Sequence, residues 1–356
     1  MSDKYIKRLL PDIINNKISV GPSAAIININ SVCNLNCEFC WIHSPLKKGR
    51  PEPSNVSFVS VKKILDELRN MGVNQISLSA DGEPWLNPEI TEIINYIKDN
   101  GFFLRITTNL TFDDKTIQIA FARADVLDVN LSAPNQRIYT KIHNPCSKNA
   151  YRNTINNLKV YANLYKKRSK PLLEINYVIT QNNYNFLKEA LALAEKLQVP
   201  NIRFRILDTI ESTKKLFLKS NDLILLKQDI QSILSKKTKI NHNLNELNNY
   251  LSDSGKITFE LKSCLAGWVM VSIEYNGGIG LCCQHGNLII GSWKKQSIEK
   301  CWYSQKANKL RKKMKDDFDI KAPFWKNCLF CCSEKINRDL FSMVEKYERY
   351  KNECCR

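Results

Sequence analysis

The sequence predicts an α/β protein: a parallel sheet with right-handed crossovers, followed by a smaller α+β unit rich in cysteine. Three observations carry this. Between residues 24 and 207, short β-branched runs alternate six times with stretches of helical spacing, the pattern of strands joined by crossover helices. Beyond residue 257 the rhythm gives way to short strands, glycine turns and cysteines. The 13 cysteines are also grouped, with three at 33–40, three at 264–283 and three at 328–332.

Taken in order, a strand at 24–29 runs into the first cysteine group. A helix over 58–71 places Val61, Ile64, Leu65 and Leu68 on one face. A strand at 75–79 leads into Asp81-Gly82-Glu83-Pro84. The next helix has Asn87 as N-cap, Pro88 at its first position, Ile90, Ile93, Ile94 and Ile97 on its apolar face, and Gly101 past its end. Strands at 102–107, 126–132, 172–179 and 202–206 alternate with helices at 113–123, 151–165 and 185–197. From Leu207 to Lys256 the alternation stops in a partly helical connection rich in lysine and asparagine. The expected organisation is an extension at 1–23, a core at 24–207, a connection at 208–256 and the cysteine-bearing unit at 257–356.

With 356 residues, 43% apolar and 25% charged, the chain has the composition of a soluble globular protein. It carries neither a signal-peptide pattern nor an apolar run of membrane-spanning length. The cytoplasm is therefore the expected location. Thiols stay reduced there, so grouped cysteines point to metal or cluster ligation ahead of a disulfide framework. Net charge is +18, which suits an anionic substrate or partner. The basic runs Lys166-Lys167-Arg168 and Arg311-Lys312-Lys313 are short and no recognition module accompanies them, so nucleic acid is not an expected partner.

Cys33, Cys37 and Cys40 have C-x3-C-x2-C spacing. Three thiolates on one short loop can wrap one face of a cubane cluster and leave its fourth iron without a protein ligand. That corner can take the amino and carboxylate groups of a methionine moiety, bringing a sulfonium beside an electron donor. Zinc is the competing reading, but structural zinc prefers two pairs of ligands. These residues resemble the radical S-adenosylmethionine (SAM) superfamily, whose signature is C-x3-C-x-(aromatic)-C. The resemblance assigns Cys33, Cys37 and Cys40 to a SAM-binding [4Fe–4S] cluster and Phe39 to a position against the adenine. Asp81-Gly82-Glu83-Pro84 resembles the family's Gly-Gly-Glu-Pro motif, which contacts the SAM amino group. Asp81 replaces the first glycine, and aspartate tolerates left-handed backbone better than most residues. Thr107-Thr108-Asn109 resembles the threonine–asparagine site, and Ser132 a SAM-contacting serine. Outside that context, a strand-end serine or asparagine is a turn former or helix cap. The resemblance covers 24–207. It implies a partial (β/α)6 barrel, SAM as cofactor and an electron donor such as flavodoxin or ferredoxin.

The second unit reads C-x12-G-x4-C from Cys264 to Cys282, with glycines that allow a hairpin, and then C-x2-C from Cys328 to Cys331. It resembles the SPASM/twitch extensions, which carry auxiliary [4Fe–4S] clusters. No cysteine lies between Cys332 and Cys354, so the shorter one-cluster form on Cys264, Cys282, Cys328 and Cys331 fits better than the full SPASM pattern. Cys283 and Cys332 adjoin these ligands. Four thiolates in two groups also suit zinc. His43 and His285 read as hydrogen-bonding neighbours of the clusters. Arg203 and Arg205 share a face of the sixth strand, either towards a ligand or on a solvated rim.

The resemblance implies reductive SAM cleavage to a 5′-deoxyadenosyl radical that abstracts hydrogen from a substrate carbon. The first expectation for the substrate is a small metabolite, an aminocyclitol or sugar alcohol, with the auxiliary cluster accepting the electron left behind. One-cluster spacing favours it, as does the short stretch before the first strand, with no room for a leader-binding domain. The alternative is a ribosomally made peptide that gains a cross-link, thioether or epimerised centre; lysine-rich connections favour it because they suit an acidic leader. An RNA-modifying enzyme and a non-catalytic binding protein are weaker rivals.

Overall fold

The computed structural model describes residues 3–79, 81–207, 211–258, 261, 263–282, 288–319, 322, 325, 328 and 334–354. The chain begins with helix α1 (Asp3–Ile14), strand β1 (Ala24–Asn28), α2 (Phe58–Asn70), β2 (Gln75–Ser79), α3 (Ile90–Asp99), β3 (Phe103–Thr108) and α4 (Lys115–Phe121). Next come β4 (Val126–Asn130), α5 (Gln136–His143), α6 (Ala150–Arg168), β5 (Leu172–Ile179), α7 (Leu187–Leu197) and β6 (Asn201–Ile206). It continues through α8 (Ser220–Leu234), β7 (Asn241–His242), α9 (Leu244–Asn249), β8 (Met270–Ile273), β9 (Gly278–Gly280) and β10 (Ile289–Ser292). Helices α10 (Ile298–Trp302), α11 (Gln305–Asp316) and α12 (Glu334–Cys354) complete the order. None of the described helices is long and apolar enough to cross a membrane.

The chain divides into two compact units that interleave along the sequence. One comprises residues 1–28, 57–77 and 260–356, and the other 29–56 and 78–259. In the first, β8 pairs in parallel with β1, and β9 and β10 continue antiparallel from it. The first residues, expected to be an extension, form α1. Leu9 and Ile13 pack with Val20, Leu265, Trp268, Val269 and Leu340 in one apolar cluster. The Trp302 indole N–H donates to Val20 O at 2.9 Å, and the Arg311 guanidinium lies 4.2 Å from the Trp302 ring centroid. Burial lowers the Arg311 pKa to about 9, because desolvation penalises the charged form.

In the second unit β3, β4, β5, β6 and β7 pair in parallel, in sequence order. Residues of β5 alternate strictly: Leu173, Ile175, Tyr177 and Ile179 are buried, while Leu172, Glu174, Asn176 and Val178 are only partly so. One face of this sheet is thus apolar, and the other carries Arg105, Asp128, Glu174, Arg203 and Arg205.

Three local expectations change. Helix α3 starts at Ile90 instead of Pro88, because the buried Asn87 amide donates to Ile29 O and Val56 O while its Oδ1 accepts the Glu89 N–H. Asn87 therefore makes a turn that leads into the helix. The alternation also survives past Leu207, since α8 is followed by β7, which pairs in parallel with β6. At two polar residues, β7 is too short to show a period. Helix α5, absent from the expectation, is capped by Asn135, whose side chain accepts the Ile138 N–H at 3.1 Å.

Candidate functional site

The cysteine loop leaves the end of the first strand and is closed at its base by pairing. Val56 N–H donates to Ile29 O, Ser31 N–H donates to Ser54 O, and Asn30 bridges Asn55. Inside the loop Cys40 N–H donates to Cys37 O at 3.0 Å, which draws those two residues into one turn. Backbone N–H groups then converge on sulfur: Leu35 on Cys33 Sγ at 3.4 Å, Ile42 on Cys40 Sγ at 3.4 Å and His43 on Cys40 Sγ at 3.2 Å.

The turn 81–84 docks on this loop through main chain. Gly82 N–H donates to Asn30 O at 3.2 Å and Glu83 N–H to Val32 O at 2.7 Å. A Cβ at Gly82 would stand 2.1 Å from Val32 O, so only glycine admits this approach. The Glu83 carboxylate is buried and occupied on both sides: Thr108 Oγ1 donates to Oε1 at 2.5 Å and Asn109 N–H to Oε2 at 2.7 Å. Burial pushes its pKa up to about 8, against the pull of those two bonds. Asn109 in turn donates to Asn34 Oδ1 at 2.9 Å, and its own Oδ1 accepts from Trp85 Nε1, Thr111 N and Thr111 Oγ1. Gly82, Glu83 and Asn109, far apart in sequence, are thus tied by hydrogen bonds to Asn30, Val32 and Asn34, the residues around Cys33.

Ser132 is 0% exposed, with its hydroxyl accepting the Val178 N–H at 2.9 Å and its carbonyl accepting from Asn183. Its side chain holds strand ends together. The residue that sequence reasoning missed is His143, the last of α5. Its Nδ1 lies 3.1 Å from Cys37 Sγ, and its Nε2 accepts the Ser132 N–H at 3.0 Å. Phe39 meets its ring edge to face at a centroid distance of 5.7 Å, and Tyr139 stacks on it at 4.5 Å. Burial lowers the His143 pKa to about 3, so the ring is neutral. The end of α5 also caps the cysteine loop: Glu38 N–H donates to Ile142 O at 2.8 Å and Asn36 N–H to His143 O at 3.1 Å. The helical spacing of Ile138, Tyr139 and Ile142 after Asn135 was the available signal.

These surroundings fit a cluster. Burial raises the pKa of all three thiols, that of Cys33 to about 12, and each also feels a nearby anionic group. An iron centre is what turns such thiols into thiolates. The buried Nε2 of His43, three residues past Cys40, has no hydrogen-bond partner among the described residues. Among those residues no three His, Cys, Asp or Glu side chains converge as on a single ion; thiolates of a cubane address separate irons.

In the first unit Cys264 feels the charges of Cys282 and Cys328. Burial, followed by Cys282, pushes the Cys264 pKa up to about 12, and Cys328 adds to the rise. The Asn337 side chain on α12 opposes that rise. Its Oδ1 accepts the Leu265 N–H at 2.6 Å, and its buried Nδ2 has no hydrogen-bond partner among the described residues. Cys331, Cys283, Cys332 and His285 lie outside the described residues. On β6, Arg203 Nε stands 3.4 Å from Glu174 Oε1, and on the same sheet Arg105 binds both carboxylate oxygens of Asp128 at 2.7 and 2.6 Å. The two arginines of β6 therefore share the polar, ion-paired face.

Residues 27–179 match the radical SAM superfamily and residues 264–340 match SPASM, an iron–sulfur cluster-binding domain. An S-adenosylmethionine-dependent nucleotide dehydratase of Selenomonas ruminantium is 29% identical over 114 residues, 31% of this chain and 39% of that protein. The PqqA peptide cyclase of Rhodopseudomonas palustris is 24% identical over 190 residues, 51% of this chain and 48% of that one. The matched segments thus span less than half of either relative. The crystal structure of Streptococcus suis SuiB bound to S-adenosylmethionine superposes with a TM-score of 0.68 at 16% identity, covering 94% of this chain and 78% of that one. SuiB has also been solved with its precursor peptide SuiA, at a TM-score of 0.65, 16% identity, and coverage of 94% and 77%. At such identity the likeness shows the fold: an α/β partial barrel with a C-terminal SPASM-like region.

Proposed function

The chain belongs to the radical SAM superfamily and carries a C-terminal SPASM iron–sulfur domain, and from that premise we propose that it modifies a peptide through reductive cleavage of SAM. The observation that carries the SAM-cleaving part is the docking of the Gly82–Glu83 turn on the Cys33–Cys40 loop by main-chain bonds. When bound, the [4Fe–4S] cluster and SAM supply an electron and a 5′-deoxyadenosyl radical that abstracts hydrogen from a substrate carbon.

Cys33, Cys37 and Cys40, all partly buried, hold the cluster. Phe39 and the main chain at 81–83 form the contact surface for SAM. The Glu83 carboxylate fixes the turn against β3, Asn109 ties that turn to Asn34, and Ser132 locks β4 to β5. These last three therefore act by orienting the site. Cys264, Cys282, Cys328 and Cys331 hold one auxiliary cluster.

The peptide reading is supported by the names of the relatives, the PqqA peptide cyclase and SuiB with its precursor peptide, ahead of the small metabolite that the cysteine spacing and the short stretch before the first strand favoured. The formal charge of +18 suits an acidic leader segment. Anaerobically reconstituted protein, given dithionite and SAM, is expected to release 5′-deoxyadenosine faster with a cognate precursor peptide than with aminocyclitols or sugar alcohols. Stimulation by the small molecules alone would remove the peptide assignment. Deoxyadenosine release that survives replacement of Cys33, Cys37 and Cys40 by alanine would remove the SAM-cleaving one.

A further inference from the structure

The ring of His143 has a determined tautomer. A backbone N–H can only donate, and Ser132 N–H donates to Nε2 at 3.0 Å, so Nε2 carries a lone pair. The neutral imidazole then bears its proton on Nδ1. That nitrogen stands 3.1 Å from Cys37 Sγ, and the side chain is 0% exposed, so no water competes for the bond. Tyr139 on one side and the Phe39 edge on another hold the ring plane. The main chain next to the ring is fixed too, because Asn36 N–H donates to His143 O. Donor and sulfur are thus held by two segments more than 100 residues apart in sequence.

We propose that His143 is a positioning residue for the proposed SAM-binding cluster: its Nδ1–H donates to the Cys37 sulfur, fixes that ligand's orientation and raises the cluster's reduction potential. The inference rests on the reading of Cys37 as a cluster ligand. Its physical basis is charge. Reduction adds one electron to the cluster, part of that density resides on the sulfurs, and a fixed N–H dipole aimed at one of them stabilises the reduced form. No bond to iron changes, and the electron comes from whatever donor reduces the cluster.

Two substitutions separate this role from simple packing. In His143→Gln the amide oxygen falls near the place of Nε2 and keeps accepting from Ser132, while the donor to sulfur is lost. In His143→Asn the amide NH2 falls near the place of Nδ1 and restores that donor. The readout is the midpoint potential of the cluster whose electron paramagnetic resonance signal changes on adding SAM, measured on full-length reconstituted protein. H143Q is expected to lower it, with a shift of about tenfold in the reduction equilibrium, ~59 mV for one electron. H143N is expected to stay near the unmutated value.

A potential in H143Q equal to that of the unmutated protein, with iron and SAM response intact, overturns the proposal and leaves the radical SAM reading standing. An unmutated, iron-loaded protein whose spectrum ignores SAM overturns that reading and this proposal together. The unmutated protein supplies a second test. With histidine labelled with 15N in its ring alone, the reduced SAM-responsive cluster is expected to show a 15N coupling that H143Q lacks, and its absence from the unmutated protein also overturns the proposal.

Discussion

Gly82 and Glu83 show how single residues set the candidate site. A methyl group at position 82 would meet Val32 O at 2.1 Å and Val32 N at 2.5 Å, both main-chain atoms that cannot rotate away. Gly82→Ala is therefore expected to displace the cysteine loop, destabilise the protein by about 1–3 kcal/mol as other overpacked sites do, and cut iron loading by more than half. Full loading at unchanged stability would refute the close approach. Glu83 gives a pH dependence whose sign is fixed. Its folded pKa, near 8, lies above the usual carboxylate value, so its contribution to stability is complete below about pH 4.5 and is lost as pH rises towards 8. Buried His143 works in the opposite direction, but only below about pH 6.5. Between pH 7 and 8, then, stability is expected to fall with a slope of at most about 1.4 kcal/mol per pH unit attributable to Glu83. Thermal unfolding of Glu83→Gln beside the unmutated protein measures that share: the slope should shrink in the variant, and equal slopes would return Glu83 to an ordinary carboxylate.

At the scale of elements, α5 carries the most consequence for its length, since eight residues supply His143 and cap the cysteine loop. It stands on its caps. Asn135 accepts the Ile138 N–H, and Asn144 takes φ 40°, a left-handed conformation that asparagine and glycine tolerate. Asn135→Ala should cost about 1 kcal/mol, whereas Asn144→Gly should be neutral or slightly stabilising. Urea midpoints compare them, and the reverse order would mean that tertiary contacts rather than caps hold α5. The same helix shows where the sequence was legible. The apolar faces of α2 and α3 and the alternation of β5 were readable because each buries one face against a partner, and burial imposes its period. That the Gly82–Glu83 turn meets the first cysteine loop was readable because spacing and order carry both. Helix α5 was not, being only two turns long and followed by irregular chain. Nor was the start of α3, because Asn87 is drawn into bonds with Ile29 and Val56, residues remote in sequence. The roles of Asn109 and Ser132 needed coordinates as well: Asn109 directly follows β3 and Ser132 lies two residues past β4, which ends at Asn130 and not at 132, and their side chains are engaged by neighbouring strands and loops, an arrangement that no local pattern encodes.

For the whole molecule, the two groups of thiols belong to different compact units, the first to residues 29–56 and 78–259, the second to residues 1–28, 57–77 and 260–356. Each group has its own buried surroundings, with His143 beside Cys37 and Asn337 beside Cys264. Independent surroundings predict independent loading. Unmutated protein rebuilt without oxygen should hold about eight iron atoms, two cubanes of four. Joint replacement of Cys264, Cys282 and Cys328 by alanine should leave about four, together with a spectrum that still responds to SAM. Replacing Cys33, Cys37 and Cys40 should also leave about four, but with that response gone. The pattern distinguishes the competing metal as well, for zinc at the second site would give about four irons in the unmutated protein and one equivalent of zinc that the second triple variant retains. Loss of all iron from either variant would mean that one site must be filled before the other can assemble, and the independence argued from separate units would fail.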